Sequence, residues 1–156
     1  MRYEISVLLH NIRSAHNVGS IFRTSDAAGV SRVYLSGYTP TPIDRFGRIQ
    51  KDIAKTALGA EKTVPWEYRL SPKSLLQEFK NTGGTVAGIE QDPRSISYRA
   101  FTHHSPVLVL LGNEVRGLSP SLRRACDTLL EIPMHGKKES LNVSVAAGII
   151  LYALLD

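Results

Sequence analysis

Val107-Leu108-Val109-Leu110-Leu111-Gly112-Asn113-Glu114-Val115-Arg116-Gly117-Leu118 is the stretch that decides the fold. Its first five residues are all apolar and leave no polar face. A strand of that kind is covered on both sides, as the central strand of a parallel sheet is. It runs straight into a loop that holds two glycines and Glu114. Open α/β sheets place their ligands at the carboxyl ends of such strands.

Working outward, four further apolar runs predict strands over Ile5–Leu9, Arg32–Leu35, Thr85–Ile89 and Thr128–Ile132. Helix-like segments separate them. Val18, Ile21, Phe22 and Ser25 fall at helical spacing, with Asn17 placed to cap the start and Gly29 the end. A second helix is expected from Ser71-Pro72 to about Asn81, ahead of a Gly83-Gly84 turn. Ser119-Pro120 opens a third, with serine as cap and proline in the first turn. A nearly all-apolar final helix is expected from Ser140 or Leu141. Strands alternating with helices define an α/β fold with a mostly parallel sheet and helices on both faces. Residues 1–156 read as one domain. The stretch from Ser36 to Ile49, rich in glycine, proline and threonine, reads as a loop.

Composition excludes several classes. The single cysteine, Cys126, allows no intrachain disulfide and fits a reducing, cytoplasmic setting. Falling inside a predicted helix, it reads as a small packing residue rather than a nucleophile. No apolar stretch reaches the roughly 18 residues that span a bilayer, and the N-terminus has no cleavable leader pattern. No dinucleotide-binding glycine fingerprint and no phosphate-binding P-loop occurs. The five histidines have no metal-ligand spacing, so no metal is expected. His103-His104 read as solvated loop residues. The formal net charge of +5 makes a polyanion a natural partner.

Three segments carry chemistry. The first, Asn11 to Thr24, joins the first strand to the first helix, whose N-terminus offers unpaired N–H groups. Arg23 lies off the apolar stripe and is free to face a cleft. The second is the Gly112–Leu118 loop, in which Glu114 is placed to accept hydrogen bonds or a proton. The third, Ile132-Pro133-Met134-His135-Gly136-Lys137-Lys138-Glu139-Ser140-Leu141-Asn142-Val143-Ser144, again leads from strand to loop to helix. Ser140 is explained by capping. Asn142, at the mouth of an apolar helix, calls for hydrogen-bond partners.

Together, N-x-G-x-I-x-R-T (Asn17–Thr24), L-G-N-E-x-x-G-L (Leu111–Leu118) and I-P-M…S-L-N-V-S-V-A (Ile132–Ala146) resemble the motifs of the SpoU-type, TrmH-like branch of the SPOUT RNA methyltransferases. The resemblance spans both ends of the chain; residues 36–84 match no motif. It implies a parallel α/β sheet with a deep C-terminal trefoil knot, a topology that general rules of chain threading disfavour. It implies an S-adenosyl-L-methionine-dependent enzyme, in the minimal form without an N-terminal extension, that methylates a ribose 2′-hydroxyl of tRNA or rRNA as a homodimer. By similarity, Ile89, Glu90, Gly112, Ile132, Met134, Ser140 and Leu141 contact the cofactor, while Asn17, Arg23, Glu114 and Asn142 match the catalytic positions. Because arginine stays protonated, Arg23 is read as a clamp on an RNA phosphate that steadies oxyanion charge. Glu114 is read as orienting Arg23 or taking a proton through water. Arg13, Arg45, Arg48 and Arg116 are the expected RNA-backbone contacts, beside Lys51, Lys55 and Lys137. Two readings stand beside this one: a base methyltransferase of the same superfamily, and an RNA-binding module that keeps the fold without turnover.

Overall fold

Strands that are apolar on both faces must be sandwiched, and the computed structural model, described over residues 2–156, shows how. Seven strands form one sheet in the order β3-β2-β1-β6-β4-β7-β5, and every pairing is parallel. They are β1 (Ile5–His10), β2 (Arg32–Ser36), β3 (Trp66–Tyr68), β4 (Thr85–Ile89), β5 (Ile96–Ser97), β6 (Val107–Leu111) and β7 (Thr128–Glu131). The decisive stretch forms β6, fully buried between β1 and β4.

Side chains alternate across the pleat and so supply two cores. Val7 and Leu9 of β1 and Val107, Val109 and Leu111 of β6 join one apolar cluster. Leu8 of β1 and Leu108 and Leu110 of β6 join the other. The first cluster is covered by α1 (Ala15–Ala28), α2 (Lys51–Ala57), the short α3 (Ala60–Thr63) and α6 (Val143–Ala153). The second is covered by α4 (Pro72–Asn81) and α5 (Pro120–Ala125). No helix among the described residues is long and apolar enough to cross a membrane.

The predicted strands and helices all form, with local shifts that have physical causes. Ser14, not Asn17, caps α1: its hydroxyl accepts the Asn17 N–H at 3.1 Å, and Gly29 ends the helix in the left-handed conformation at φ 73°. Serine also caps α4 and α5, from Ser71 and Ser119, each followed by proline. The final helix starts later than expected. Asn142 is its N-cap, so Ser140 and Leu141 remain in the preceding loop. Five elements escape sequence reading: α2, α3, β3, β5 and a 3-10 turn at Tyr98–Ala100. β5 has two residues, β3 three, and α2 buries only Ile53 and Ala57, too little pattern for periodicity to register. Cys126 closes α5, where burial pushes its thiol up to about 11, consistent with packing rather than reactivity. His103 corrects the solvated-loop reading. Its ring is partly buried, lies 3.1 Å from the carbonyls of both Ser105 and Leu154, and stacks on Phe101.

Helix α1 packs against both α2 and α6, and its crossing with α2 depends on Gly19. A Cβ there would overlap the Ile53 carbonyl oxygen and Thr56 Oγ1. Alanine would gain about 1 kcal/mol of helix propensity, but the carbonyl belongs to a helix backbone and cannot step aside. Gly19→Ala is therefore expected to lose about 1–3 kcal/mol net, seen in urea titration as a lower midpoint at unchanged slope.

Candidate active site

Strand order reverses between β1 and β6, and beside that point the carboxyl ends of β6, β4 and β7 lie next to one another. Each feeds a loop, and the loops enclose a cavity of about 590 Å³. That volume suits a nucleoside-sized ligand. All seven residues expected at a cofactor line it: Ile89 and Glu90 after β4, Gly112 after β6, Ile132 and Met134 after β7, and Ser140 and Leu141 ahead of α6. Asn17, Glu114 and Asn142 line it as well. Leu111, Leu130, Val143 and Ala146 extend the apolar lining, and Gln91, Asn113, Glu131 and Glu139 add polar groups that sequence reading did not select.

The three chemical segments meet in one hydrogen-bonded chain. Glu114 accepts the backbone N–H groups of Arg13 at 3.1 Å and Ser14 at 3.2 Å, the two residues just ahead of α1. The Ser14 hydroxyl accepts the Asn17 N–H at 3.1 Å, and the Asn17 side chain favours the charged form of the same carboxylate. Asn17 Oδ1 in turn accepts from Asn142 Nδ2 at 3.3 Å. Asn142 Oδ1 accepts the Ser144 N–H at 2.8 Å and the Ser144 hydroxyl at 2.6 Å, which caps α6. One residue from each segment thus ties the starts of α1 and α6 to the Gly112–Leu118 loop.

This geometry revises two expected roles. Burial opposes ionisation of Glu114 most strongly, yet the N–H groups of Arg13, Glu114 itself and Ser14 and the Asn17 amide together outweigh it, holding the carboxyl below its ordinary range. A carboxylate so stabilised is a poor proton acceptor, and it contacts the α1 N-terminus rather than Arg23. Asn142, expected to be buried, is exposed; its carbonyl is spent on the cap and its amide hydrogens point toward Asn17.

Two neighbours shape the central loop. Asn113 is buried and fully satisfied: Oδ1 accepts the N–H groups of Val115 and Arg116, both at 2.9 Å, while Nδ2 donates to the Asn11 carbonyl and to Tyr38 Oη, both at 2.9 Å. Glu90 accepts the Leu118 N–H at 2.8 Å and pairs with Arg123 at 3.7 Å, so its carboxylate closes the loop while its residue lines the cavity. Gly117 sits at φ 66°, and a Cβ on it would overlap that carboxylate, which makes glycine necessary there.

Arg23 stands apart. It lines a separate groove with Ser20, Thr24, Lys55 and Tyr152, between α1, α2 and the end of α6. Within one chain it does not join the cavity. Arg13 and Arg116 are exposed on the segments that flank the cavity, and Arg45 and Arg48 are exposed in the Ser36–Ile49 loop.

A parallel sheet with a cavity of mixed polar and apolar lining, built from three strand-end loops, defines an α/β protein with a ligand site where open sheets place theirs. Residues 4–152 match the SpoU rRNA Methylase family, and the chain belongs to that family. It is 36% identical to the tRNA (guanosine(18)-2′-O)-methyltransferase of Aquifex aeolicus (strain VF5), across 96% of this chain and 67% of that one. It is also 36% identical to the 23S rRNA (guanosine-2′-O-)-methyltransferase RlmB of Ralstonia nicotianae, across 94% of this chain and 56% of that one. The crystal structure of AdoMet-bound rRNA methyltransferase from Sinorhizobium meliloti superimposes with a TM-score of 0.88 at 30% identity, covering 98% of this chain and 56% of that one. The chain thus spans about 56–67% of the length of these relatives.

The Glu114 tie gives a pH-dependent prediction. Its lowered pKa means that stabilisation is complete above the ordinary carboxyl value of 4.5 and is lost as pH falls through the folded-state value. Glu114→Gln is expected to cost about 1–2 kcal/mol at neutral pH. The gap from wild type should narrow as pH drops below 4.5, read by urea denaturation across a pH series. A gap independent of pH would show that the charge is not what holds α1.

Proposed function

We propose that the protein transfers a methyl group from S-adenosyl-L-methionine to a ribose 2′-hydroxyl of tRNA or rRNA, as the single catalytic domain formed by this chain. The observation that carries this reading is the joining of Asn17, Glu114 and Asn142 at the mouth of a nucleoside-sized cavity. The family and the 2′-O-methyltransferase names of the relatives support it. The donor set fits the cofactor: aliphatic and thioether side chains of Ile89, Ile132, Met134 and Leu141 for apolar parts, with Ser140 and strand-end backbone groups for polar ones. When bound, that cofactor supplies an electrophilic methyl group.

The chain's own residues supply placement. Asn142 offers amide hydrogens at the mouth, suited to orienting a ribose oxygen. Positioning of this kind is worth roughly 7–11 kcal/mol in favourable systems. Arg23 remains a cation throughout, so its role is to hold an RNA phosphate and steady developing charge on the ribose oxygen. Since Arg23 lies outside its own chain's cavity, the reading includes a homodimer in which one protomer's Arg23 serves its partner's cavity. Exposed Val145 and Tyr152 on α6 suit such a contact. Exposed Arg13 and Arg116 carry RNA phosphates, and the knot implied by the family places the α6 loop against the Gly112–Leu118 loop.

The test is methyl transfer from labelled S-adenosyl-L-methionine to total RNA, with digestion and mass spectrometry of nucleosides. A 2′-O-methylated nucleoside is the expected product; a base-methylated one, or none, refutes the reading. Arg23→Ala should lower kcat about 10²–10³-fold while calorimetric cofactor affinity stays unchanged. Mixing the inactive Arg23→Ala and Asn142→Ala proteins should restore about a quarter of wild-type activity, because half the dimers then carry one intact composite site. No recovery on mixing would place Arg23 and Asn142 in the same protomer's site.

A further inference from the structure

The loop that sequence reading left without a motif is a built hairpin. Gln50 N–H donates to the Pro42 carbonyl at 2.9 Å, Ile43 bridges Ile49 in antiparallel fashion, and Asp44 N–H donates to the Arg48 carbonyl at 2.9 Å. The Asp44 carboxylate braces the tip from inside. Its Oδ1 accepts the N–H groups of Phe46 and Arg48, both at 2.9 Å, and its Oδ2 accepts Arg48 Nε at 2.8 Å. Gly47 completes the turn at φ 78°.

What this scaffold displays is unusual for a surface tip. Phe46 is 67% exposed. The Arg45 and Arg48 guanidinium carbons lie 4.8 Å and 5.0 Å from its ring centroid, within cation–π range. Arg48 is held by Asp44, whereas Arg45 has no carboxylate partner among the described residues. The hairpin is rooted at the rim of the cavity. Tyr38 Oη accepts from Asn113 Nδ2 at 2.9 Å, and Thr39 Oγ1 donates to the Leu9 carbonyl and accepts the Ile12 N–H, both at 3.0 Å.

Phe46 stands exposed on a turn whose backbone is hydrogen-bonded, and it joins neither apolar cluster of the core. Two arginines around it disfavour a cationic or purely apolar partner and favour an anionic one with flat π-faces. A base in a duplex has both faces covered by its neighbours, so only an unpaired base can stack on a side chain. We propose that the Asp44–Arg48 tip is a substrate-recognition site on which an unpaired RNA nucleotide stacks its base against Phe46. Arg48 stays fixed beside the ring. Arg45, unrestrained, moves from the ring to the nucleotide's phosphate. The target ribose therefore lies in an RNA with an unpaired base nearby, such as a loop or bulge. This rests on the reading of the protein as an RNA 2′-O-methyltransferase.

The test uses a short single-stranded oligoribonucleotide with 2-aminopurine at its centre, and the same strand annealed to its complement. Wild-type protein should quench the single strand and leave the duplex almost unchanged. Phe46→Leu, which keeps an apolar side chain but no π-face, should abolish quenching and weaken single-strand binding about ten-fold. Phe46→Trp should retain both. Arg45→Gln should weaken binding and flatten its salt dependence by about 0.7 in log–log slope, the value for one single-strand phosphate. In methyl transfer to total RNA, Phe46→Leu should raise KM with cofactor affinity unchanged. Equal binding by wild type and Phe46→Leu, or equal losses on single strand and duplex, overturns the proposal while leaving methyl transfer intact. A change in sedimentation with unchanged RNA binding overturns it in favour of a protein contact. Absence of any RNA methylation by the wild type instead removes the underlying functional reading.

Discussion

The carboxylate of Glu114 against the N–H groups of Arg13 and Ser14, at the N-cap of α1, is the contact on which the site depends. Those donors have no partner within the helix and must be satisfied from outside. A negative charge at that end also meets the positive end of the helix dipole. Arg13 and Ser14 come from one end of the chain and Glu114 from about a hundred residues later, so the bond exists only once β1 and β6 are paired. In forming, it sets the height of α1, hence of Asn17, hence of the amide of Asn142. A residue that sequence alone offers as a proton acceptor is also a hydrogen-bond acceptor that ties the approach to α1 to the loop after β6.

The same economy runs through the neighbouring loops. Glu90 and Asn113 each line the cavity, yet each accepts hydrogen bonds from the backbone of residues 115–118, while the Asn113 amide donates to Asn11 and Tyr38 and Glu90 pairs with Arg123. Buried polar groups that are fully satisfied hold one geometry firmly. Unused side-chain donors of the lining remain on Gln91, Ser140 and the Asn142 amide. That suits an enzyme whose contribution is alignment, since its reactive group is brought in by the cofactor.

Much of the fold was legible because its signals are local. β6 declares itself by five apolar residues in a row, and α4 and α5 by serine-proline starts. Ser14 rather than Asn17 caps α1, through a single hydrogen bond that spacing does not reveal. The edge strands β3 and β5 exist because a neighbouring strand offers free backbone groups, not because Trp66–Tyr68 or Ile96–Ser97 insist on extension. The hairpin tip was likewise seen only as a glycine- and proline-rich loop, although Arg45 and Arg48 within it were already marked as RNA contacts.

The sequence by itself determined the class of fold, the family and part of the set of residues that line the cavity, since these rest on periodicity and on motifs contiguous in the chain. Tertiary structure alone decided what those residues touch. Asn17, Glu114 and Asn142 become one hydrogen-bonded chain because strand order 1-6-4-7 brings three loop ends together. Arg23, six residues along the same helix as Asn17, is carried to another face by helical rotation and enters a different groove. Directions and partners of side chains depend on distances across the fold, and no linear spacing encodes them.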